Sequence, residues 1–354
     1  MNKEINCPSC ASKNIIKKGL RKNKLQEIQR YRCKNCSKIF ADKGIKNKTY
    51  PAKIILNAVS YYNLGCTQQQ ASKLISQRYK VKVPQRTISE WVNEYKDICT
   101  FARLRKQAIK AQKPEKMIFS QKLQHNQVYN FMLHQAKLEL VSKELAPQKF
   151  ALLKYYFEKI PTQEFPHHIF QPKPGNPELN ELARSSQIKF ETLDFIKKEK
   201  QNQANQLAKL ALNLAATNKQ RHEAIQNFFL INDSTTIAAE IPVYLTNDDI
   251  KYFQTRGFRL NLENYQTPVT GHIDILQIRN GIIHILDYKP EADKINPIEQ
   301  LTIYALALAS RTKLALRDFK AAWFDESNYF EFFPLHAVYE KKLFNFIISS
   351  HFKD

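Results

Sequence analysis

The chain has 354 residues, with 55 Lys+Arg against 33 Asp+Glu and a formal net charge of +22. This length is expected to fold as two or three domains and to bury a full α/β core. The longest apolar runs fall short of the ~20 residues that a membrane-spanning helix needs, and the first ten residues lack the apolar core of a signal peptide. These features exclude an integral membrane protein and predict a cytoplasmic location.

The positive charge is concentrated at the N-terminal end. Residues 1–110 hold 25 Lys+Arg and 6 Asp+Glu, a net of +19, whereas the remaining residues carry a net of only +3. Such a basic segment binds phosphate backbones by releasing counterions. An anionic membrane surface is the alternative partner, but the motifs found in this segment favour nucleic acid.

Four cysteines near the N-terminus form two C-x-x-C pairs, Cys7 with Cys10 and Cys33 with Cys36, separated by 22 residues. Four thiolates in two tight turns are typical of a structural Zn²⁺ site, so a small zinc ribbon is predicted over residues 1–48. The alternative is a pair of disulfides in a secreted domain. The missing signal peptide argues against that alternative.

Residues 49–100 predict an all-α helix-turn-helix domain. Helices are expected over 52–63 and from 68 to about 79, the second one opened by a capping box at Thr67. A third helix follows Pro84, and Ile88, Trp91, Val92 and Tyr95 form its apolar stripe. Its opposite face carries the predicted DNA-contacting residues Gln85, Arg86, Ser89 and Asn93. A plain three-helix packing unit is the alternative, and the charge distribution argues against it.

Residues 101–204 are the least informative segment and are predicted to form a helical middle region or linker. The segments 128–145 and 149–160 are expected to be helical, and a long helix is expected over 197–220. Prolines and a glycine predict a loop at 171–180. His167 and His168 could suggest a metal ligand pair, but a solvated loop is the simpler interpretation.

The most informative segment is 271–289, which predicts a β-hairpin. Asn280-Gly281 is the residue pair that favours a two-residue turn between two apolar strands. If Arg279 pairs with Ile282, then Asp274 falls opposite Asp287 with Cβ atoms roughly 4.5–5.5 Å apart. Lys289 lies two residues beyond Asp287 and therefore shares that face.

Two adjacent carboxylates repel each other and raise one of the two pKa values. A divalent cation removes this problem, and carboxylate oxygens suit Mg²⁺ or Mn²⁺. Such an ion acidifies bound water and stabilises charge on phosphate oxygens, and a neighbouring lysine can neutralise a developing oxyanion. The hairpin therefore predicts a phosphodiester-hydrolysis site, against the alternative of a surface hairpin with ordinary charges.

Flanking segments add further candidates. A helix over 218–229 carries His222, and a short strand over 238–244 carries Glu240. After the hairpin, a helix places Gln300 and Tyr304 one turn apart on one face. Taken singly, a histidine or a tyrosine at such a place is more often a packing residue.

In this order, the helical histidine, AEIPVY, GHIDIL, LDYK and QLTIY resemble the RecB-like branch of the PD-(D/E)XK nuclease superfamily over about residues 205–335. The resemblance implies an α/β restriction-endonuclease-like domain with a mixed central sheet over 205–354. It also implies that Asp274 and Asp287 hold Mg²⁺ or Mn²⁺ and that His222 adds a ligand. Lys289 would assist the attacking water, and Gln300 and Tyr304 would lie near the DNA or brace the site. Glu240 matches a recurring acid.

The chain also departs from that family pattern. Asn218 stands where a glycine often precedes the histidine by four residues, and Asp287 replaces the commoner glutamate. Some relatives carry an iron–sulfur cluster, but no cysteine follows Cys99, so no iron–sulfur cluster is expected here. No G-x-x-x-x-G-K-[ST] phosphate loop occurs, which excludes an attached helicase motor.

Residues 5–97 are similar to the DNA-binding half of insertion-sequence transposases, with a cysteine ribbon followed by a helix-turn-helix. The catalytic acids of those enzymes are spread over an RNase-H-like domain, whereas here they cluster in one hairpin. The expected function is therefore a metal-dependent deoxyribonuclease targeted by its N-terminal modules. A catalytically inactive DNA-binding regulator and a scaffold of a mobile-element or recombination complex are the alternatives. DNA is the expected partner in each case, and a homodimer remains open.

Overall fold

A computed structural model describes residues 5–22, 25, 27–41, 48–144, 147–171, 184–193, 197–262 and 268–339. The predicted loop at 171–180 lies outside these residues except for Gln171, and so do the last 15 residues of the predicted C-terminal domain. The helices are α1 (Ala52–Asn63), α2 (Gln68–Tyr79), α3 (Gln85–Tyr95), α4 (Arg105–Ala111), α5 (Gln135–Glu144), α6 (Pro147–Lys159), α7 (Gln203–Ala211), α8 (Arg221–Asn232), α9 (Asn247–Thr255), α10 (Ile298–Thr312) and α11 (Pro334–Val338).

The strands form two sheets. They are β1 (Ile15–Lys22), β2 (Glu27–Cys33), β3 (Ile39–Ala41), β4 (Ile118–His125), β5 (Gln127–His134), β6 (Lys198–Glu199), β7 (Thr236–Leu245), β8 (Val269–Arg279), β9 (Ile282–Tyr288), β10 (Phe319–Phe324) and β11 (Tyr329–Phe332). The first three strands make a small antiparallel sheet, and the other eight make a large sheet in the order β4-β5-β7-β8-β9-β10-β11-β6. None of the described helices is long and apolar enough to cross a membrane.

Helices α1 to α3 follow the boundaries that the sequence predicts. The Thr67 side chain accepts from the Gln70 amide while the Gln70 side chain accepts from the Thr67 amide, so the predicted capping box is present. All four stripe residues of α3 are buried, whereas Gln85, Arg86 and Asn93 are exposed and Ser89 is half-buried. The polar face of α3 is therefore free of contacts with the helical core.

The three-helix unit packs directly on the α/β part of the chain. Asn63 at the end of α1 donates to Asn232 at the end of α8 over 2.8 Å, and Asn232 donates to Ser60 over 3.0 Å. These polar groups are buried beside an apolar cluster that joins α1 and α3 to α7 and α8. Because buried hydrogen bonds and a common core join them, the three-helix unit is a layer of one packed structure.

The large sheet is mixed, as predicted. Strands β9 and β10 are parallel, and the remaining neighbours are antiparallel. Helix α10 makes the connection between β9 and β10, in keeping with the long crossover that a parallel pair requires. Helices α6 and α10 join the cluster on one face of the sheet, and α7 and α8 join the cluster on the other.

The predicted helical middle region is wrong for residues 118–134. These residues form the hairpin of β4 and β5, and β5 pairs with β7, so the sheet extends well before the predicted boundary at residue 205. The turn at Asn126 has a positive φ of 58°. An asparagine tolerates this conformation, but without a following glycine it gives only a weak hairpin signal. The hydrophobic pattern of Val128, Tyr129 and Phe131 is compatible with a strand as well as with a helix.

The predicted long helix over 197–220 is also wrong. Residues Lys198–Glu199 form the edge strand β6, and α7 covers only Gln203–Ala211. Asn202 caps α7 with its side chain, which accepts from the Ala204 amide. The helix that carries His222 begins separately at Arg221, within the segment predicted to be helical.

Candidate metal centres and active site

The four N-terminal cysteines come together between the turns of the small sheet. Their sulfur atoms all lie within 4.8 Å of one another, with Cys7 Sγ 3.5 Å from Cys36 Sγ and Cys10 Sγ 3.6 Å from Cys33 Sγ. A disulfide would require about 2.05 Å, whereas a tetrahedron of Zn–S bonds of about 2.3 Å has edges of about 3.8 Å. The cluster can therefore hold a structural Zn²⁺, and the alternative of two disulfides does not apply.

The four cysteines differ in how readily they form thiolates. The hydrogen bond from the Ser12 amide does not prevent the neighbouring thiols of Cys36 and Cys33 from raising the pKa of Cys10 to about 12. Backbone amides of Cys36 and Asn35 lower the pKa of Cys33 to about 6. Amide donors at a knuckle stabilise the deprotonated sulfur, which is the form that binds metal. The turn at Cys33 therefore stabilises the thiolate form of that cysteine.

The predicted hairpin register is present in the large sheet. Arg279 pairs with Ile282, and the ladder continues back to Ile275 opposite Leu286. The next position brings Asp274 to Asp287, where the amide of Tyr288 donates to Asp274 Oδ2 over 3.3 Å. The turn residues Asn280 and Gly281 both have positive φ, as the Asn-Gly turn requires.

A third carboxylate lies on the other side of Asp274. In β7, Ala239 pairs with Ile275 and Ile241 pairs with Ile273, so Glu240 lies opposite Asp274. Glu240 has a φ of +53°, which is unusual for a non-glycine residue inside a strand. Such strain clusters at functional sites. Three neighbouring strands thus present Glu240, Asp274 and Asp287 in a row.

Helix α8 supplies two further side chains, one turn apart. His222 Nδ1 lies 3.4 Å from Asp274 Oδ2, and Gln226 Nε2 donates to Glu240 Oε1 over 2.5 Å. The ring of His222 packs edge-on against Tyr288, at 5.2 Å between centroids. The structure therefore brings His222 to the carboxylates, and it adds Gln226, which the sequence analysis did not identify although it lies four residues after His222.

Lys289 approaches the third carboxylate. Its Nζ lies 2.9 Å from Asp287 Oδ2. Asp287 is buried, and the ammonium of Lys289 compensates part of its charge. A buried carboxylate is costly unless its charge is compensated. The carboxylate oxygens gathered here are ligands that suit a hard cation.

The environment shifts the pKa values of the three carboxylates in different directions. Burial, together with the charge of Asp274, raises the pKa of Asp287 to about 8. Burial and the same neighbour also raise the pKa of Glu240 to about 8. Burial acts to raise the pKa of Asp274, but the hydrogen bond and charge of His222, together with Asp287 and Lys289, outweigh it and lower that pKa. Asp274 in turn raises the pKa of His222. Without a cation, the cluster therefore retains protons at neutral pH.

Helix α10 closes the site from the side. Gln300 Nε2 donates to the Tyr304 hydroxyl over 2.8 Å, and Tyr304 is buried. The ring of Tyr304 occupies the space beside Gly271, where an added Cβ would lie 2.3 Å from Tyr304 Cε1. The glycine before His272 in the GHID motif is thus required by the position of the tyrosine.

A cavity of about 190 Å³ opens beside Glu240 and Asp274. Its lining also includes His125, Tyr129 and Phe170 from the middle region. Arg184 also lines it, from a segment that bridges to Thr270 of β8. A second cavity of about 270 Å³ has Lys289 and Gln300 in its lining. Sequence reasoning missed these wall residues because they lie far from the motifs along the chain.

The two clusters differ in how tightly they are gathered. Within the part of the chain that the structure describes, only the cysteine cluster brings three or more potential ligands within 4.8 Å of one another. The carboxylates and His222 form a more open set, as suits an ion that retains waters. Comparison of the chain with protein-family models, with curated proteins and with solved structures found no match.

Proposed function

We propose that this protein is a metal-dependent deoxyribonuclease that hydrolyses phosphodiester bonds and is targeted to DNA by its ribbon and helix-turn-helix. The observation that carries the proposal is the row of Glu240, Asp274 and Asp287 on three adjacent strands, with Lys289 beside Asp287. Three neighbouring acids, of which Asp287 is buried while Glu240 and Asp274 are half-buried, destabilise a fold unless a cation compensates for them.

Asp274 and Asp287 would hold Mg²⁺ or Mn²⁺, with His222 or Glu240 completing the set. The bound ion supplies an acidified water and charge stabilisation at the phosphate. The ammonium of Lys289, held by Asp287, is placed to orient the attacking water and to neutralise the negative charge that develops on the phosphate oxygens. Gln226 positions the carboxylate of Glu240 through its hydrogen bond.

The N-terminal third supports the choice of DNA as substrate. It carries nearly all of the net positive charge, and the exposed face of α3 offers Gln85, Arg86 and Asn93. A basic helix-turn-helix unit presents such a face to the major groove. Its direct packing on α8 would keep bound DNA in a defined relation to the carboxylates.

The test compares wild type with Asp287→Asn on linear, circular, single-stranded and branched DNA, with Mg²⁺, Mn²⁺ or EDTA. Wild type is expected to cut only with metal, and the variant is expected to lose at least about 100-fold in rate, as typical for loss of a transition-state electrostatic group. Asp293→Asn is the matched control, because Asp293 is exposed. Equal cutting by wild type and Asp287→Asn would refute the assignment.

The same experiment distinguishes the proposed nuclease from the alternative of a catalytically inactive DNA-binding regulator. It predicts DNA binding without metal-dependent turnover on any substrate. Binding alone does not distinguish the two, because the basic N-terminal third is expected to bind DNA in both cases.

A further inference from the structure

The cavity beside the carboxylates has a wall that the proposed chemistry does not use. His125 and Tyr129 come from the hairpin of β4 and β5, and Phe170 comes from the short helical turn His167–Phe170. Together with His272 of β8, these side chains form a set of flat rings. The middle region thus builds one side of a cavity whose other side holds Glu240 and Asp274.

The rings are stacked in an ordered way. Tyr129 lies flat on His272, with ring centroids 3.5 Å apart and planes 5° from parallel. His125 lies flat on Phe170, with centroids 4.3 Å apart and planes 13° from parallel. Tyr129 and His272 are half-buried, whereas His125 and Phe170 are buried, so the stacked pair of Tyr129 and His272 is the accessible part of the set.

A chain of hydrogen bonds holds these rings in place. His125 Nδ1 lies 2.9 Å from His272 Nε2, and His125 Nε2 lies 2.8 Å from His167 Nδ1. His167 Nε2 lies 3.2 Å from the carbonyl of Thr162. Because a carbonyl only accepts, His167 Nε2 donates to it. The three histidine rings are thereby fixed in one hydrogen-bonded chain.

Burial keeps the rings of His125 and His272 uncharged. Burial lowers the pKa of His125 to about 4, with a further contribution from His167. Burial also lowers the pKa of His272. The cavity wall is therefore a rigid, uncharged aromatic platform, which needs little ordering when a ligand binds.

The size and surroundings of the cavity restrict its occupant. At about 190 Å³ it is smaller than the 300–1,000 Å³ of sites for drug-sized ligands, so one ring system fits rather than a whole nucleotide. An accessible aromatic face binds bases by stacking without regard to their sequence. Asp274 and Glu240 at the opposite side are the acids of the proposed phosphodiester chemistry.

We infer that this cavity binds one unpaired nucleobase of the strand to be cut, stacked on Tyr129, with Arg184 beside it to meet the backbone phosphate. The inference rests on the proposed nuclease function and specifies the substrate at that site. A base inside a duplex is covered on both faces by its neighbours, so only a base that has left the stack can enter.

The test uses 5′-labelled single-stranded oligonucleotides in which a single abasic residue is moved along the sequence. In wild type, cleavage of one particular neighbouring phosphodiester is expected to slow by about 10-fold when the abasic residue falls at the cavity position, within the range known for loss of one base–aromatic stack. Tyr129→Ala is expected to slow cleavage of intact DNA by a similar factor and to lose this positional effect. Tyr129→Phe should retain both.

Tyr155→Ala is the matched control, because Tyr155 is 53% exposed and does not line the cavity. Wild-type rates that do not depend on the position of the abasic residue would overturn the inference, as would wild-type behaviour of Tyr129→Ala.

Binding of thymidine 5′-monophosphate, measured by calorimetry in EDTA, keeps the inference testable if no DNA is cut. Binding that Tyr129→Ala weakens and Tyr129→Phe preserves would then support the base site while the nuclease proposal fails. No binding to wild type would overturn the base site.

Discussion

The cysteine cluster and the carboxylate cluster both bring like charges together, but they do so in different structural settings. Four sulfur atoms meet between turns of a small sheet in which, among the described residues, little more than Cys7 and Cys33 is buried. The carboxylates lie on strands of an eight-stranded sheet with apolar clusters on both faces. In the first case an ion bound by the sulfur atoms would stabilise the fold, whereas in the second the packed sheet holds the acids in place. Metal removal should therefore have different consequences at the two clusters.

The largest effect is expected at the cysteine cluster. Structural Zn²⁺ contributes about 10–16 kcal/mol of apparent binding free energy in small zinc domains, and the ribbon has no sizeable apolar core to replace it. Cys33→Ser should abolish binding of one Zn²⁺ per chain and make residues 5–41 sensitive to trypsin, while the thermal transition of the α/β part stays unchanged. Zinc content and limited proteolysis measure this.

Cys66→Ser is the control for that experiment, because Cys66 is not part of the cluster. A ribbon that resists trypsin equally in Cys33→Ser would show that its fold does not depend on the ion.

A smaller effect of opposite sign is expected at the carboxylate cluster. The pKa of Asp287 is raised to about 8 in the folded protein from an ordinary 3.8, so the folded state binds more protons than the unfolded state between these values. Metal-free wild type should therefore lose stability as pH rises from about 4 to 8. At about 1.4 kcal/mol per pKa unit, Asp287→Asn should stabilise the metal-free protein by about 2–5 kcal/mol at pH 8 and by little at pH 5.

Urea denaturation in EDTA at the two pH values measures this difference. Asp293→Asn should show no pH-dependent gain, because Asp293 is exposed. If Asp287→Asn and wild type have the same free energy of unfolding at pH 8, the pKa of Asp287 is not raised in the folded protein.

The features of these clusters that could be predicted from the sequence are those formed by residues close together along the chain. The Asn-Gly turn and the register between Asp274 and Asp287 are local, so residue alternation was sufficient to place both acids. The two cysteine knuckles and the capping box at Thr67 are local in the same sense.

The cavity wall could not be predicted in that way. His125 meets His272 across 147 positions, and this contact depends on how β5 pairs with β7. No short motif encodes such a pairing, since Asn126 lacks the following glycine that would have marked the hairpin. The same reason explains why residues 118–134 satisfied a helical interpretation.

Gly271 offers a test of how closely the fold positions the carboxylates. In Gly271→Ala the new Cβ would lie 2.3 Å from Tyr304 Cε1 and 2.6 Å from Ser185 Oγ, so Tyr304 must move. Overpacking of this kind costs about 1–3 kcal/mol. The thermal midpoint should fall by a few degrees, and cleavage should fall more than it does in Tyr304→Phe, which keeps the ring in place.

Ala307→Gly, a buried position on α10 without a role at the site, would lower stability by a comparable amount through helix propensity. Equal loss of cleavage in Ala307→Gly and Gly271→Ala at matched stability would show that Tyr304 does not position the site.

The smallest effect is expected on the exposed face of α3, where the N-terminal third meets DNA in the proposed function. Arg86 is exposed, and its pairing with Glu90 over 3.1 Å is a surface ion pair that contributes little to stability. Arg86→Ala should therefore fold normally and weaken DNA binding by about 1 kcal/mol. If Arg86 contacts a phosphate, the slope of log K against log salt should become shallower by about 0.9, equally for all sequences. If it contacts a base, the slope should stay unchanged and sequence discrimination should fall.

Arg317→Ala is the control, because Arg317 lies far along the chain in a turn of the α/β part, and it should change neither the slope nor the discrimination. Anisotropy titrations over a salt series distinguish these outcomes.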